Sequence, residues 1–379
     1  MLEELVVNFR NNMSQFLNSG CIINGTLLEL EEVEKMGYSE FSFQSRLYMP
    51  AKFYKYFPNK EFVLADGKTT NYSIIALKIN TVYMQSPNNF DDIYDSDIFV
   101  NFKEYERLRL IEYCHRCKIN IKPTLNTIEI KNLFINEIGK SLNEHKNFEH
   151  IFFKQPNSKI EKLENELFYK SLLLEFQKTK KLNTAISLVL IEEYEDFIIS
   201  LKNKFRVSCF ATTPYSQLMW GGNYADCHKG FCLEYTVLPN DERYQDVYFN
   251  LFPMIYSKKR SDITTELVEV RTKNLSLEDL WNIYFHGALR KSIDWAFQNE
   301  WRLLLPLGNH CENYNMQFFP ITKVFLGNRM QKNQRKEIIE ICNDKNIPYV
   351  DVMKNPSYFE MQDNLNISNY KNGGKENEY

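Results

Sequence analysis

Two stretches of this 379-residue chain bring together the residue types that chemistry at an enclosed site requires. The first runs Ser208-Cys-Phe-Ala-Thr-Thr-Pro-Tyr-Ser-Gln-Leu-Met-Trp-Gly-Gly-Asn-Tyr-Ala-Asp-Cys-His-Lys-Gly-Phe-Cys-Leu-Glu-Tyr235. A strand ends there in small hydroxyl residues, a turn follows, and a second strand begins after Gly230. Trp220 and Tyr224, one helical turn apart, form an aromatic face that either stacks a planar heterocycle or pins the turn to the core. His228, between Cys227 and Lys229 in the turn, reads as a site residue or as a solvated loop histidine. The second stretch is Lys291-Ser-Ile-Asp-Trp-Ala-Phe-Gln-Asn-Glu-Trp-Arg-Leu-Leu-Leu305. Glu300 opens its apolar strand, flanked by Trp295, Trp301 and Arg302. A carboxylate held between indoles is partly desolvated and serves as an acceptor or base, whereas an exposed Glu300–Arg302 surface pair would contribute little.

Other constellations carry weaker chemistry. Cys114-His-Arg-Cys117 has the spacing of two zinc thiolates, but no second pair completes a tetrahedral site, and two half-buried helix thiols are the alternative. Asp91, Asp92 and Asp95 offer hard oxygen ligands for Mg²⁺, as a nuclease would need; a solvated turn after Ser86-Pro-Asn-Asn89 uses the same residues. Neither GxSxG nor HExxH occurs. The 13 glycines never give GxGxxG or GxxxxGK[ST], which excludes a standard Rossmann fingerprint and a Walker A loop. Lys plus Arg total 46 against 49 Asp plus Glu, so the net charge of −3 supplies no broad positive field for nucleic acid.

The elements that must position these residues are mixed. Lys and Tyr on the aromatic strand Phe53-Tyr-Lys-Tyr-Phe57, an amphipathic stretch over 70–78, Thr81-Val-Tyr-Met84 and the Pro-Asn turn read as strand, helix, strand and turn. Further strands are expected at 207–210, 230–236, 252–256, 301–305, 321–326 and 349–352, with helices at 277–296 and 332–344. Between them, long helical periodicity over 160–180 and 185–205 under a coat of Lys and Glu marks an all-helical insertion; the stripe Ile160, Leu163, Leu167 and Leu174 is expected to face its own domain. The division is therefore a helical extension over 1–45, an α+β core over 46–97 and 204–355, the insertion over 98–203, and a disordered tail over 364–379. The acidic start Met1-Leu-Glu-Glu-Leu lacks a secretory signal, and the apolar run 185–191 is far short of the roughly 20 residues of a membrane span. A cytoplasmic protein with reduced thiols and no membrane partner is the expectation.

Four blocks in order carry a family resemblance: Phe53–Phe57, Val82-Tyr-Met-Gln-Ser-Pro-Asn-Asn-Phe-Asp-Asp92, Cys209-Phe210 with Leu218 through Tyr235, and Asn299-Glu-Trp-Arg-Leu303. Together, over about 53–327, they resemble the bacterial family of uncharacterised proteins called DUF2971. The chain departs from it at Phe90-Asp-Asp-Ile93, where the family usually shows Phe-Asn-Asp-Pro, and at Gly221-Gly222, where a bulkier polar residue is common. The block order is in turn similar to the three-part layout of ADP-ribosyltransferases. That analogy implies an α+β fold, an ADP-ribosyltransferase-like split β-sheet core with an inserted all-helical subdomain, and NAD as substrate. It further implies a transferase with a protein or nucleic-acid acceptor, or an NAD glycohydrolase, serving as a defence or toxin effector. On it, Glu300 stabilises the cationic transition state, Tyr224 or Trp220 stacks on nicotinamide, Lys55 and Tyr56 anchor the dinucleotide, His228 attends the ligand, and Arg302 meets phosphate or orients Glu300. The rival readings are a non-catalytic nucleotide-sensing or partner-binding module in phage defence, with the insertion docking a partner, and the metal-dependent nuclease.

Overall fold

The computed structural model describes residues 19–90, 92, 94–122, 124–143, 159–272, 283, 287–306 and 312–364. Residues 365–379 of the expected tail and 1–18 of the expected helical extension lie outside these residues; the described part of the extension opens with the strands Gly20–Ile23 and Thr26–Glu29 before the helices Leu30–Lys35 and Tyr38–Leu47. The chain divides into two compact units, one of 1–96, 203–259 and 288–379, the other of 97–202 and 260–287. The insertion expected over 98–203 thus starts at 97, and 260–287, expected in the core, joins the helical unit.

The first unit is α+β. A five-stranded sheet runs in the order Met361–Asp363, Tyr349–Lys354, Ile321–Leu326, Phe231–Thr236, Lys52–Phe57. Ile321–Leu326 is parallel to Tyr349–Lys354, joined by the helix Lys332–Asp344, and antiparallel to Phe231–Thr236. A three-stranded antiparallel sheet has Trp301–Pro306 between Phe205–Phe210 and Leu251–Pro253. Paired hydrogen bonds between Tyr54 and Ala211, at 2.9 and 2.7 Å, link the edges of the two sheets. Strand alternation then sorts the side chains. Phe53, Leu233, Tyr235 and Val324 from one sheet and Phe210, Trp301 and Leu303 from the other share one core with Ile338 of the helix. The opposite face of the larger sheet, with Tyr56, Cys232 and Phe325, is covered by the turn that carries Trp220. A third sheet places Arg290–Ser292 parallel to Ile255–Ser257, followed by Gly20–Ile23 and Thr26–Glu29.

Two expectations change here. The apolar run 252–256 is two strands, Leu251–Pro253 and Ile255–Ser257, in different sheets. The expected helix over 277–296 lies partly outside the described residues, and its described end is the strand Arg290–Ser292 and the 3-10 turn Ile293–Gln298.

The second unit is helical: Phe102–Arg116, Thr127–Asn143, Lys159–Thr179, Leu182–Asn203 (whose final residue lies across the unit boundary) and Thr264–Thr272. Its core stacks Tyr113 on Phe168 at a 4.0 Å centroid separation, with Leu110, Phe134, Ile186 and Leu267 around them. Arg109 is wholly buried and bound to Glu193, Glu112 and the Tyr113 hydroxyl. The leucine stripe expected inside is outside: Leu163, Leu167 and Leu174 are 57%, 55% and 57% exposed, because Phe168 and Leu172 turn the helix toward the core instead. Cys114 is buried and Cys117 half-buried, both thiols pushed up to about 12 by burial, and no group able to hold a metal exists among the described residues. No described helix is long and apolar enough to cross a membrane.

Candidate functional site

Alternation along Trp301–Pro306 sends Trp301 and Leu303 into the core and leaves Glu300 and Arg302 together on the other face. There they join Asp95 and Lys291 in a buried quartet of two cations and two carboxylates. The Arg302 guanidinium donates to Glu300 Oε1 at 2.6 Å, Asp95 Oδ2 at 2.6 Å, Ser96 Oγ at 2.9 Å and the Ala288 carbonyl at 2.7 Å. Lys291 Nζ lies 3.1 Å from Asp95 Oδ2 and 3.3 Å from Glu300 Oε2, and donates to Gln298 Oε1 at 3.0 Å. The Glu300 backbone N–H donates to the Tyr256 hydroxyl at 2.8 Å. Burial alone would raise both carboxyls, but Arg302 and Lys291 prevail: Glu300 is held below the usual carboxylate range and Asp95 is brought down to about 2. A charge is costly inside a protein unless it is compensated and hydrogen-bonded, and the quartet meets both conditions.

The quartet lies under a cavity of about 960 Å³. Glu300, Lys291 and Asp95 reach its floor, while Lys55, Ser208 and Cys209 form one wall. Lys55 Nζ donates to Ser208 Oγ at 3.1 Å and the Cys209 carbonyl at 2.9 Å, and sits 5.0 Å from the Phe210 ring centroid. Burial pushes its ammonium below the usual lysine value, with Cys209 and Glu300 opposing that shift. Burial also pushes the Cys209 thiol up to about 12, so it is no nucleophile. The mouth is aromatic, with Tyr83, Tyr224, Trp295 and Phe297. Tyr224 is 40% exposed, and Gln298 Nε2 donates to its hydroxyl at 2.6 Å, tying the turn after one strand to the turn before another. Asn299, in the left-handed region at φ 41°, reverses the chain so that Gln298 and Glu300 reach the same space; its amide donates to Thr212 Oγ1 at 2.6 Å.

Four of the sequence candidates, Glu300, Tyr224, Lys55 and Tyr56, line this one cavity, although Tyr56 is nearly buried and its hydroxyl donates to the Thr213 carbonyl. Three do not. Trp220 is fully buried, its indole N–H donating to the Pro214 carbonyl at 2.6 Å, so it pins the turn and offers no face to a ligand. His228 stacks on Trp220, 6.2 Å between centroids, away from the cavity; burial and Arg329 lower its pKa. Arg302 has no exposed surface for a phosphate and instead holds Glu300 in place. The bland alternative for Glu300 also changes, since the Glu300–Arg302 pair is buried and not at the surface. Asp95, weighed as a magnesium ligand, is committed to Arg302, Lys291 and Ser96, and Asp91 lies outside the described residues. The residues missed are Lys291, Gln298, Phe297 and Tyr83. The first three stand in the stretch singled out for Glu300, but nothing in a spacing says that Lys291 reaches the Glu300 carboxylate or that Gln298 bridges Lys291 and Tyr224.

No curated protein and no solved structure matches the chain. The stretch that supplies Tyr224, Lys291, Gln298, Glu300 and Arg302 falls wholly within residues 219–303, which match the family model described as protein of unknown function (DUF2971).

Proposed function

We propose that the cavity binds NAD and that the protein cleaves its nicotinamide–ribose bond, as an ADP-ribosyltransferase-like enzyme or an NAD glycohydrolase built on a split-sheet core of that type. The observation that carries the reading is the convergence of Glu300, Lys55 and the aromatic mouth on a single cavity of about 960 Å³, ample for a dinucleotide. When the bond between C1′ and the ring nitrogen breaks, its electron pair leaves with nicotinamide, which becomes neutral, and positive charge develops on the ribose. Water, or a nucleophile of a protein or nucleic-acid acceptor, then bonds to C1′ and releases its proton. A carboxylate kept ionised beside C1′ stabilises that charge. Glu300 fits: Arg302 holds Oε1 at 2.6 Å, whereas Oε2 has only the shared Lys291 contact at 3.3 Å and remains able to accept a ribose hydroxyl. Of the two rings expected to stack on nicotinamide, Tyr224 supplies a face, together with Trp295 and Phe297, and Lys55 supplies positive charge for the pyrophosphate.

The test is nicotinamide release from NAD by the whole protein, followed chromatographically. Glu300→Gln keeps an acceptor for Arg302 and is expected to lower release by roughly 100-fold or more while NAD still raises the melting temperature. Unchanged release by this variant removes Glu300 from the chemistry. One observation favours a second reading, a sensor that binds nucleotide without turnover and docks a partner through its helical unit: the exposed stripe of Leu163, Leu167 and Leu174. Stabilisation by NAD with no nicotinamide release from the wild type would select it.

A further inference from the structure

One carboxylate in the cavity has no counterpart. Asp92 lines it beside Phe90. Its Oδ1 accepts the Tyr94 backbone N–H at 2.9 Å, but Oδ2 is enclosed and without a hydrogen-bond partner. A buried carboxylate oxygen left unsatisfied is costly, so a ligand that brings a donor to it gains what the empty protein forgoes. The backbone fixes which end of the cavity this is. The Asp92 carbonyl accepts the Asp95 N–H at 3.0 Å, and Asp95 shares Arg302 and Lys291 with Glu300. The Phe90 ring lies 5.4 Å from the Arg302 guanidinium carbon. Asp92 therefore stands at the Glu300 end.

We propose that Asp92 is the specificity residue for the leaving group, receiving a carboxamide N–H and facing the positively charged ring of the bound nicotinamide. This rests on the reading that Glu300 addresses the ribose carbon of NAD. The nicotinamide half of such a substrate carries two amide N–H donors and a cationic ring, both complementary to a lone carboxylate oxygen. The ring loses its charge as the bond breaks, so the attraction is weaker in the transition state than in the ground state. Asp92 thus acts on substrate capture more than on the rate of bond cleavage. It also rejects the acid form, nicotinic acid adenine dinucleotide, whose carboxylate would face another carboxylate.

The experiment compares binding of the amide and acid dinucleotides to Glu300→Gln and to Glu300→Gln/Asp92→Asn by thermal shift and calorimetry, which removes turnover from the readout. Asparagine retains Oδ1 for the Tyr94 N–H, and the ligand-free melting temperature checks the fold. A preference for the amide of roughly tenfold or more that shrinks to about threefold or less on Asp92→Asn is expected, given the several kcal/mol that like charges in contact cost. In the otherwise wild-type enzyme, the loss of kcat/KM caused by Asp92→Asn should reside in KM. The same preference in both backgrounds overturns the assignment of Asp92 and leaves the glycosidic reading untouched. Loss of the preference in Asp92→Asn, together with no nicotinamide release by wild type, overturns the glycosidic reading alone. Failure of the amide dinucleotide to bind in either background overturns both.

Discussion

Arg302 and Lys291 face Asp95 and Glu300 with no net charge among them, and this balance has a measurable pH signature. Asp95 titrates near 3.8 when free and near 2 in the fold, so its ionised form is favoured by the native state. A group whose pKa falls on folding contributes stability above its unfolded value and loses it as the pH drops through the folded one. Urea midpoints of wild type and Asp95→Asn should therefore differ most at pH 5 and above and converge between about pH 4 and pH 2. A gap that persists undiminished at pH 2 contradicts the ionised circuit. At this scale the sequence was readable where one local feature decides. Glu300 stands at the head of an apolar strand with an arginine two residues on, and alternation puts both on one face. It was unreadable where tertiary placement decides: Trp220 and Tyr224 share a spacing that suits a stacking pair, yet one indole is sealed in the core and the other ring is at the mouth.

Strands and turns place the site through close backbone approaches that a side chain would prevent. A Cβ on Gly230 would lie 2.0 Å from the Phe57 carbonyl oxygen and 3.0 Å from that of Ala225. Gly230 leads into Phe231–Thr236, which pairs with the strand carrying Lys55, so Gly230→Ala is expected to cost about 1–3 kcal/mol by denaturant titration. The preceding residues Asp226, Cys227 and His228 all have positive φ, at 47°, 53° and 69°, an uncommon run without glycine that sets the angle of this turn. Elements with strong local signals were legible: the strand, helix, strand and turn over 52–89 and the helix Lys332–Asp344 stand where periodicity put them. The run 252–256 misled because five apolar residues look like one strand, whereas Pro253 has no N–H to donate and the chain changes sheets at Met254, whose N–H goes to the Glu300 carbonyl.

Each of the two compact units has its own core, and the helical one is organised around a buried cation. Arg109 is wholly enclosed against Glu112 and Glu193, so Arg109→Met removes a buried cation from between two carboxylates and is expected to cost about 3–5 kcal/mol. Amide hydrogen exchange should quicken in the helices over 102–116 and 182–201 while the strands of the five-stranded sheet keep their protection; equal loss in both would show that the units do not open separately. The main extent of the insertion was visible as a change from β texture to helical periodicity. Its second segment, 260–287, was not, because a helix as short as Thr264–Thr272 carries no mark of which core it serves. The order of strands in the α+β unit bears on how a ribosome must deliver the chain. Lys52–Phe57 and Phe205–Phe210 are made early, but their sheets are completed around Trp301–Pro306 and Ile321–Leu326, so during translation the sheet partners wait for most of the polypeptide to emerge. The helices of 102–201 close mostly on near neighbours, but their core also takes Leu267 from 260–287, so the helical unit too is finished only after Phe205–Phe210 has been made and waits for its sheet partners.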